Sequence, residues 1–168
     1  MKQLFLLRHG HAEAFAPSDS QRPLSARGQR EVASTIEQAL VHLKNLDQVW
    51  VSPYLRAQQT WQLANAHLTN SLANFVSPPQ VFAQPAIKPS GKVSEVLTLL
   101  EKALNNPKTT QLLLVTHQPF VGELLECLCG LDAGRYFMDT ANLAAIHIPT
   151  TNEGDAILAA GLCDLSWI

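Results

Sequence analysis

The feature that most constrains this chain is a short apolar run near its start that ends abruptly in polar residues. Leu4 to Leu7 are four consecutive apolar residues, and a run of that length indicates a buried strand. Arg8, His9 and Gly10 follow at once, and glycine permits a sharp turn and a close approach of the backbone to a ligand. Because open α/β sheets bind ligands at the carboxyl ends of their strands, the sequence predicts that Arg8 and His9 lie in a binding site.

Two later segments repeat this arrangement. A strand is predicted over 48–51, with Ser52 as the N-cap of the next helix, Pro53 as its first residue and Arg56 in its first turn. The Leu-Leu-Leu-Val run within 111–116 predicts a strand buried on both faces, and His117 follows it. In a parallel sheet these ends share one edge, toward which helix N-termini also point. Arg8, His9, Arg56 and His117 are therefore expected to converge on an anion such as phosphate.

The remaining segments alternate helix and strand. We predict a helix over 26–43 capped by Ser25, a helix over 92–104 and a helix that begins at Pro119. Short strands are predicted near Val81-Phe82, within an otherwise irregular stretch, and at 144–148 and 156–162. Strands alternating with helices indicate a three-layer α/β/α sandwich with a mainly parallel sheet. A length of 168 residues without a repeat or linker predicts a single domain over 1–168.

Composition excludes several classes of protein. The formal net charge is −2 and the isoelectric point is near 6.3, whereas nucleic-acid binders are normally basic. The apolar run at the start is too short for a signal peptide or a membrane span. Three cysteines, Cys127, Cys129 and Cys163, form no zinc spacing and fit poorly with a disulfide framework. We therefore expect a cytoplasmic protein with reduced thiols that binds neither nucleic acid nor a membrane.

Several motifs resemble those of a known family. The run from Arg8 to Ala12, the Ser-Pro-x-x-Arg-Ala-x-Gln-Thr pattern over 52–60 and Thr116-His117 resemble the histidine phosphatase superfamily, also called phosphoglycerate-mutase-like. The segment 19–28 and the Pro-Ser-Gly at 89–91 are similar to the small SixA-type phosphohistidine phosphatases. The resemblance extends from Lys2 to about Gly122, and it implies a phosphoglycerate-mutase-like fold.

The resemblance also implies roles for individual residues. His9 would be the nucleophile, attacking as a neutral imidazole whose other nitrogen donates to a carbonyl. Arg8, Arg56 and His117 would hold the phosphoryl oxygens in the transition state, and Arg22 matches a further arginine near the phosphate. The implied activity is hydrolysis of a phosphohistidine on a partner protein, such as a phosphotransfer domain, through a phosphohistidine enzyme intermediate. No metal and no cofactor are implied, and we expect a monomer.

The chain departs from the SixA-type pattern at two places. Those proteins usually carry aspartate after Arg-His-Gly, where this chain has His11. They also tend to have an acidic residue shortly before Pro-x-Gly, where 85–88 is Pro-Ala-Ile-Lys. Three side chains remain as candidates for a general acid: His11, Glu13 and Asp19.

Three alternative functions stay open at this point. A small-molecule phosphatase or mutase of the same superfamily would generally carry a helical lid, but only 83–92 lies between the third strand and the next helix. A metal-dependent hydrolase could use His9, His11 and His117, although no further metal motif follows and arginines beside a cation are repulsive. The third alternative is a phosphate-binding module without catalysis, against which His9 argues.

Overall fold

One mixed sheet organises the described part of the chain. The computed structural model describes residues 1–71, 77–158 and 163–168. The strands are β1 (Lys2–Arg8), β2 (Gln48–Val51), β3 (Gln80–Ala83), β4 (Gln111–Thr116), β5 (Leu143–Ile148) and β6 (Asp164–Trp167). Their order in the sheet is β3-β2-β4-β1-β5-β6. The first four strands are parallel, whereas β5 is antiparallel to β1 and to β6. The predicted α/β fold with a mainly parallel sheet is confirmed.

Helices cover both faces of this sheet. They are α1 (Ala26–Leu43), α2 (Leu55–Ser71), α3 (Val93–Leu104) and α4 (Phe120–Cys129). Strand β1 shows why helices are needed on both faces of the sheet. Its four apolar residues alternate between the two faces, and all of them are fully buried. Phe5 and Leu7 belong to the core formed with α1 and α2, and Leu4 and Leu6 to the core formed with α3 and α4. The sheet is therefore the middle layer of a sandwich.

Helix α1 packs directly against the turn that carries His9. The helix has the predicted bounds, and the Ser25 hydroxyl caps it by accepting a hydrogen bond from the Gly28 N–H at 3.1 Å. A Cβ added at Gly28 would lie 2.0 Å from the carbonyl oxygen of His11, and one added at Gly10 would lie 2.6 Å from that of Gly28. The two glycines thus allow a backbone contact that holds the turn after β1 in place.

Helix α2 begins later than predicted. Its first residue is Leu55, so Pro53 precedes the helix instead of opening it. The carbonyl of Tyr54 accepts the first hydrogen bonds, from the N–H groups of Ala57 and Gln58. The Ser52 hydroxyl lies 2.7 Å from His117 Nε2. Ser52 is therefore held by the site instead of acting as the predicted N-cap.

The last strand also differs from its prediction. The predicted strand over 156–162 falls partly on residues 159–162, which lie outside the described part of the chain. Of the described residues before that gap, Ala156 makes an isolated bridge to Thr150, just beyond β5. The strand that pairs with the outer side of β5 is β6, where Asp164 lies opposite His147. The apolar run at 156–158 made this segment look like a strand, but the edge strand is the mostly exposed Asp-Leu-Ser-Trp.

The connection between β3 and α3 is short. Residues 84–92 contain only a single 3-10 turn, Pro85–Ile87, before α3 begins. A Cβ added at Gly91 would lie 2.1 Å from the carbonyl oxygen of Ala86, so this connection folds tightly on itself. No helix within the described ranges has both the length and the apolar character needed to cross a membrane.

Candidate active site

The carboxyl ends of three adjacent strands form the floor of the candidate site. The N–H of His9, just after β1, donates to the carbonyl of Thr116 at the end of β4 at 3.0 Å. The N–H of Ser52, just after β2, donates to the carbonyl of Val115 at 3.1 Å. The structure therefore brings together the strand ends that the sequence singled out, and Arg8, His9, Arg56 and His117 lie around them.

His9 is held in one tautomer. Its Nδ1 lies 2.7 Å from the carbonyl oxygen of Gly10, which can only accept a hydrogen bond, so Nδ1 carries the proton. The lone pair therefore resides on Nε2. Burial lowers the pKa of His9 to about 4, with the charges of Arg56 and Arg8 adding to the effect and the Gly10 carbonyl opposing it. At neutral pH the residue is a neutral imidazole with a nucleophilic nitrogen, and the carbonyl contact expected from the sequence is present.

Arg56 lies directly against that nitrogen. Its Nε donates to His9 Nε2 at 3.2 Å, and the residue is 4% exposed. The far edge of the guanidinium binds Asp19: Nη1 donates to the backbone carbonyl at 2.6 Å and Nη2 to Oδ2 at 3.1 Å. Asp19 therefore binds the edge of the guanidinium formed by Nη1 and Nη2. The edge that carries Nε faces His9.

Arg22 is connected to the site through the same carboxylate. Its Nη1 donates to Asp19 Oδ1 at 3.1 Å, and its Nε donates to the carbonyl of Glu13 at 2.7 Å. Partial burial works to raise the pKa of Asp19, but hydrogen bonds and charges from Arg56 and Arg22 outweigh it, so the pKa lies below its usual value. Asp19 is thus ionised at neutral pH and carries no proton to donate.

His117 is fully buried beside His9, with 4.9 Å between the ring centroids. Burial lowers its pKa to about 2, and the positive charges of Arg56 and Arg8 act in the same direction. The ring is therefore neutral, and its Nε2 lies 2.7 Å from the Ser52 hydroxyl. If the hydroxyl donates to Nε2, the ring proton is on Nδ1.

Two buried nitrogens at this site lack a hydrogen-bond partner. Among the described residues, the buried side-chain polar atoms without a partner include Arg8 Nε and His117 Nδ1. Buried polar atoms are normally paired. Arg8 also donates from Nη1 to the carbonyl of Met138 at 2.5 Å, which fixes its guanidinium. These two nitrogens belong to side chains next to His9, and with the proton on His117 Nδ1 both can supply N–H donors to the oxygens of an anion.

His11 makes contacts that hold the backbone after His9 in place. Its Nδ1 lies 2.8 Å from the Ser25 hydroxyl, and its backbone N–H donates to Glu31 Oε2 at 3.0 Å. The same carboxylate oxygen accepts from the Thr140 hydroxyl at 2.8 Å. These contacts tie the turn after His9 to helix α1 and to the segment before β5.

Sequence reasoning missed the segment between α4 and β5. The Glu126 carboxylate accepts hydrogen bonds from three successive backbone N–H groups, those of Gly134, Arg135 and Tyr136, at 2.8–3.0 Å. This fold of the chain brings the Phe137 ring to 4.8 Å from the Arg8 guanidinium carbon. The segment forms one wall of the site, although its sequence carries no motif.

Ser52, Tyr54 and Thr60 are further residues of the site, although the sequence motifs assign none of them a part in binding phosphate. The Tyr54 ring lies 4.9 Å from the guanidinium carbon of Arg56 and 5.0 Å from the His117 ring. The Thr60 hydroxyl accepts from the Gly10 N–H at 3.2 Å, which links α2 to the turn after His9. All three lie within the Ser-Pro-x-x-Arg-Ala-x-Gln-Thr pattern, so the motif itself was the available signal.

Comparisons with known proteins agree with this geometry. Residues 4–76 match the model of the histidine phosphatase superfamily (branch 1). The chain is 31% identical over 163 residues to the phosphohistidine phosphatase SixA of Escherichia coli, covering 97% of this chain and 96% of that protein. It is 33% identical over 132 residues to a SixA homolog of Haemophilus influenzae, with 76% and 77% covered. A solved structure of the protein histidine phosphatase SixA complexed with tungstate superimposes with a TM-score of 0.75 at 30% identity, covering 92% of each chain.

Proposed function

Because this chain belongs to the histidine phosphatase superfamily, we propose that it is a phosphohistidine phosphatase that acts on a partner protein such as a phosphotransfer domain. The relatives named SixA, similar over nearly the whole chain, support this activity. The observation that carries the proposal is the His9 imidazole, whose Nδ1 is bound to the Gly10 carbonyl and whose Nε2 faces Arg56.

His9 is proposed as the nucleophile. In the first step the Nε2 lone pair forms a bond to phosphorus while the P–N bond of the substrate breaks, and the substrate imidazole departs with that electron pair. In the second step water attacks phosphorus, the bond to His9 breaks with its electron pair returning to Nε2, and inorganic phosphate leaves while the proton of the attacking water passes to solvent. The low pKa of His9, about 4, keeps its lone pair available at neutral pH.

Arg8, Arg56, Arg22 and His117 are proposed to stabilise the phosphoryl group. Arg8 Nε and His117 Nδ1 are buried without partners among the described residues, which suits donors preorganised for phosphoryl oxygens. Arg56 can move its Nε hydrogen bond from His9 to a phosphoryl oxygen, which frees the nucleophile. Arg22 acts through Asp19, with which it forms an ion pair. A metal-dependent hydrolase would need a cation bound to His9 Nε2, whereas a guanidinium nitrogen of Arg56 lies 3.2 Å from that atom.

The ionised state of Asp19 favours a phosphohistidine over an alkyl phosphate ester as the substrate. An alkoxide leaving group needs a proton from a general acid, which contributes roughly 10²–10⁴-fold. Its two arginines keep the pKa of Asp19 below the usual value despite partial burial, so at neutral pH it stays ionised and does not supply that proton. A phosphohistidine whose other ring nitrogen carries a proton leaves as neutral imidazole, and since the pKa of histidine is about 6.5 the ring takes that proton from solution near neutral pH.

The short connection 84–92 supports a protein substrate. It holds one 3-10 turn where the larger relatives would carry a lid, so a side chain projecting from another protein can approach from this side. A small-molecule phosphatase would instead enclose its substrate to exclude water.

The test is a comparison of three substrates. We expect kcat/KM to fall in the order phosphorylated phosphotransfer domain, aryl phosphate, alkyl phosphate. His9→Ala should abolish all three activities, and His67→Ala, which changes a partly exposed histidine of α2, should retain them. Hydrolysis of alkyl phosphates as fast as phosphohistidine would instead favour the small-molecule phosphatase.

A further inference from the structure

We propose that Tyr54 and Phe137 form an aromatic rim that contacts the partner protein around its phosphohistidine. The inference rests on the proposed function and names the surface through which that function selects a protein substrate. Tyr54 lies 4.9 Å from the guanidinium carbon of Arg56, and Phe137 lies 4.8 Å from that of Arg8. Arg8 and Arg56, both proposed to bind the phosphoryl group directly, thus each lie against an aromatic ring.

Phe137 is unusual because it is both exposed and firmly placed. Its relative exposure is 66%, whereas its neighbour Met138 is fully buried. The preceding residues are anchored by the three backbone N–H groups that bind Glu126, and the Gln118 amide donates to the carbonyl of Tyr136 at 3.2 Å. A ring held in this way loses little conformational freedom when a partner binds.

The position of the ring determines what it can contact. A phosphohistidine on a folded protein must bring its phosphorus to His9 Nε2, so the contact surface is centred on that atom. Arg8, which Phe137 covers, is the residue next to His9 in sequence and projects from the same strand end. Because Phe137 lies against Arg8, a protein that brings its phosphohistidine to His9 presents its neighbouring surface to the ring, and aromatic side chains contribute strongly to such interfaces.

The occupant is the surface of the substrate protein next to its phosphorylated histidine. The rim offers an exposed apolar ring beside arginines, so it fits a partner whose phosphoryl dianion enters the pocket while an apolar side chain packs on Phe137. A free phosphorylated amino acid has the same reacting bond and no such surface, so it cannot use the rim in this way.

Phe137→Ala tests the proposal with two substrates that share one leaving group. We expect kcat/KM for a phosphorylated phosphotransfer domain to fall on the order of 10- to 30-fold, mainly through KM. For free phosphohistidine the change should be no more than about threefold. Phe137→Trp should restore most of the lost activity on the protein substrate. Val41→Ala removes another exposed apolar side chain, from the far end of α1, and should change neither rate.

Each other outcome overturns the proposal. Equal losses on both substrates would mean that Phe137 acts only by orienting Arg8. A wild-type dimer that Phe137→Ala converts to a monomer in analytical ultracentrifugation would mean that a second copy of this chain covers the ring. If the wild-type protein hydrolyses neither the phosphorylated phosphotransfer domain nor free phosphohistidine, the proposed function itself fails. If the wild type is active and Phe137→Ala is unaffected, only the proposal of the aromatic rim fails.

Discussion

Replacing Asp19 by asparagine removes the negative charge that holds Arg56 and keeps one oxygen acceptor in place. Asp19→Ala removes the acceptor as well, although the backbone carbonyl of residue 19 still binds Arg56 Nη1 at 2.6 Å. If Asp19 positions the guanidinium, each variant should lower the rate by a factor that is the same for all three substrates. If Asp19 were a general acid, the loss should grow as the leaving group becomes more basic.

The size of the effect follows from where the two side chains lie. A solvent-exposed ion pair contributes about 0.2–1 kcal/mol, and deleting a preorganised charge-stabilising donor costs about 2.7–4 kcal/mol of transition-state stabilisation. The Asp19 side chain is 55% exposed and that of Arg56 is 5% exposed, which places the effect between these limits. We expect about 1–2 kcal/mol, or roughly a 5- to 30-fold fall in kcat/KM.

The assay is kcat/KM for phosphohistidine protein, aryl phosphate and alkyl phosphate in each variant. Asp132→Asn is the matched control, because Asp132 forms an exposed ion pair with Arg135 three residues later, as Asp19 does with Arg22. Asp19→Asn should also cost little when Arg56 is already alanine, since residues that act through one another are not additive. A loss confined to alkyl phosphates, or an unchanged effect in the Arg56→Ala background, would refute the positioning role.

Three further predictions concern the residues that hold the site. In an NMR titration the His9 ring should gain its proton only near pH 4, because burial lowers its pKa, and a midpoint near the ordinary 6.5 would contradict the burial. Gly28→Ala should sharply lower the melting temperature and the activity, because the new methyl group would overlap the carbonyl of His11; a variant with wild-type Tm would show that the contact can relax. Ser52→Ala should cost about 1–3 kcal/mol in stability or in kcat/KM, because it leaves His117 Nε2 unpaired. Calorimetry and kinetics measure the two losses, and a variant that loses neither stability nor activity would contradict the prediction.

The parts of the fold that sequence could predict are those with strong local signals. Leu4 to Leu7 specify a buried strand because four consecutive apolar residues need cover on both faces, and the structure supplies it. Helix α1 has the predicted bounds because Ser25 caps it and Val32 and Ile36 face the core. The sequence predicts no strand at 164–167, because Asp-Leu-Ser-Trp is short and largely exposed, and favours 156–162, where the described residues 156–158 form only a bridge at Ala156.

The same distinction applies to the candidate site. Arg8, His9, Arg56 and His117 could be predicted to converge because each lies at the carboxyl end of a strand or in the first turn of the next helix. The wall formed by Phe137 and Met138 could not, since its placement depends on hydrogen bonds from backbone groups to the distant Glu126. The lowered pKa of Asp19 likewise depends in part on Arg56, which only the fold brings to it.

Detection of the covalent intermediate tests the proposed mechanism most directly. Protein mixed with a phosphorylated phosphotransfer domain carrying ³²P should be quenched within one turnover and digested, and the labelled peptide identified. We predict label on His9, lost in acid and retained in alkali as expected for a phosphoramidate, and absent from His9→Ala. An acid-stable label, label on another residue, or full turnover by His9→Ala would contradict the mechanism.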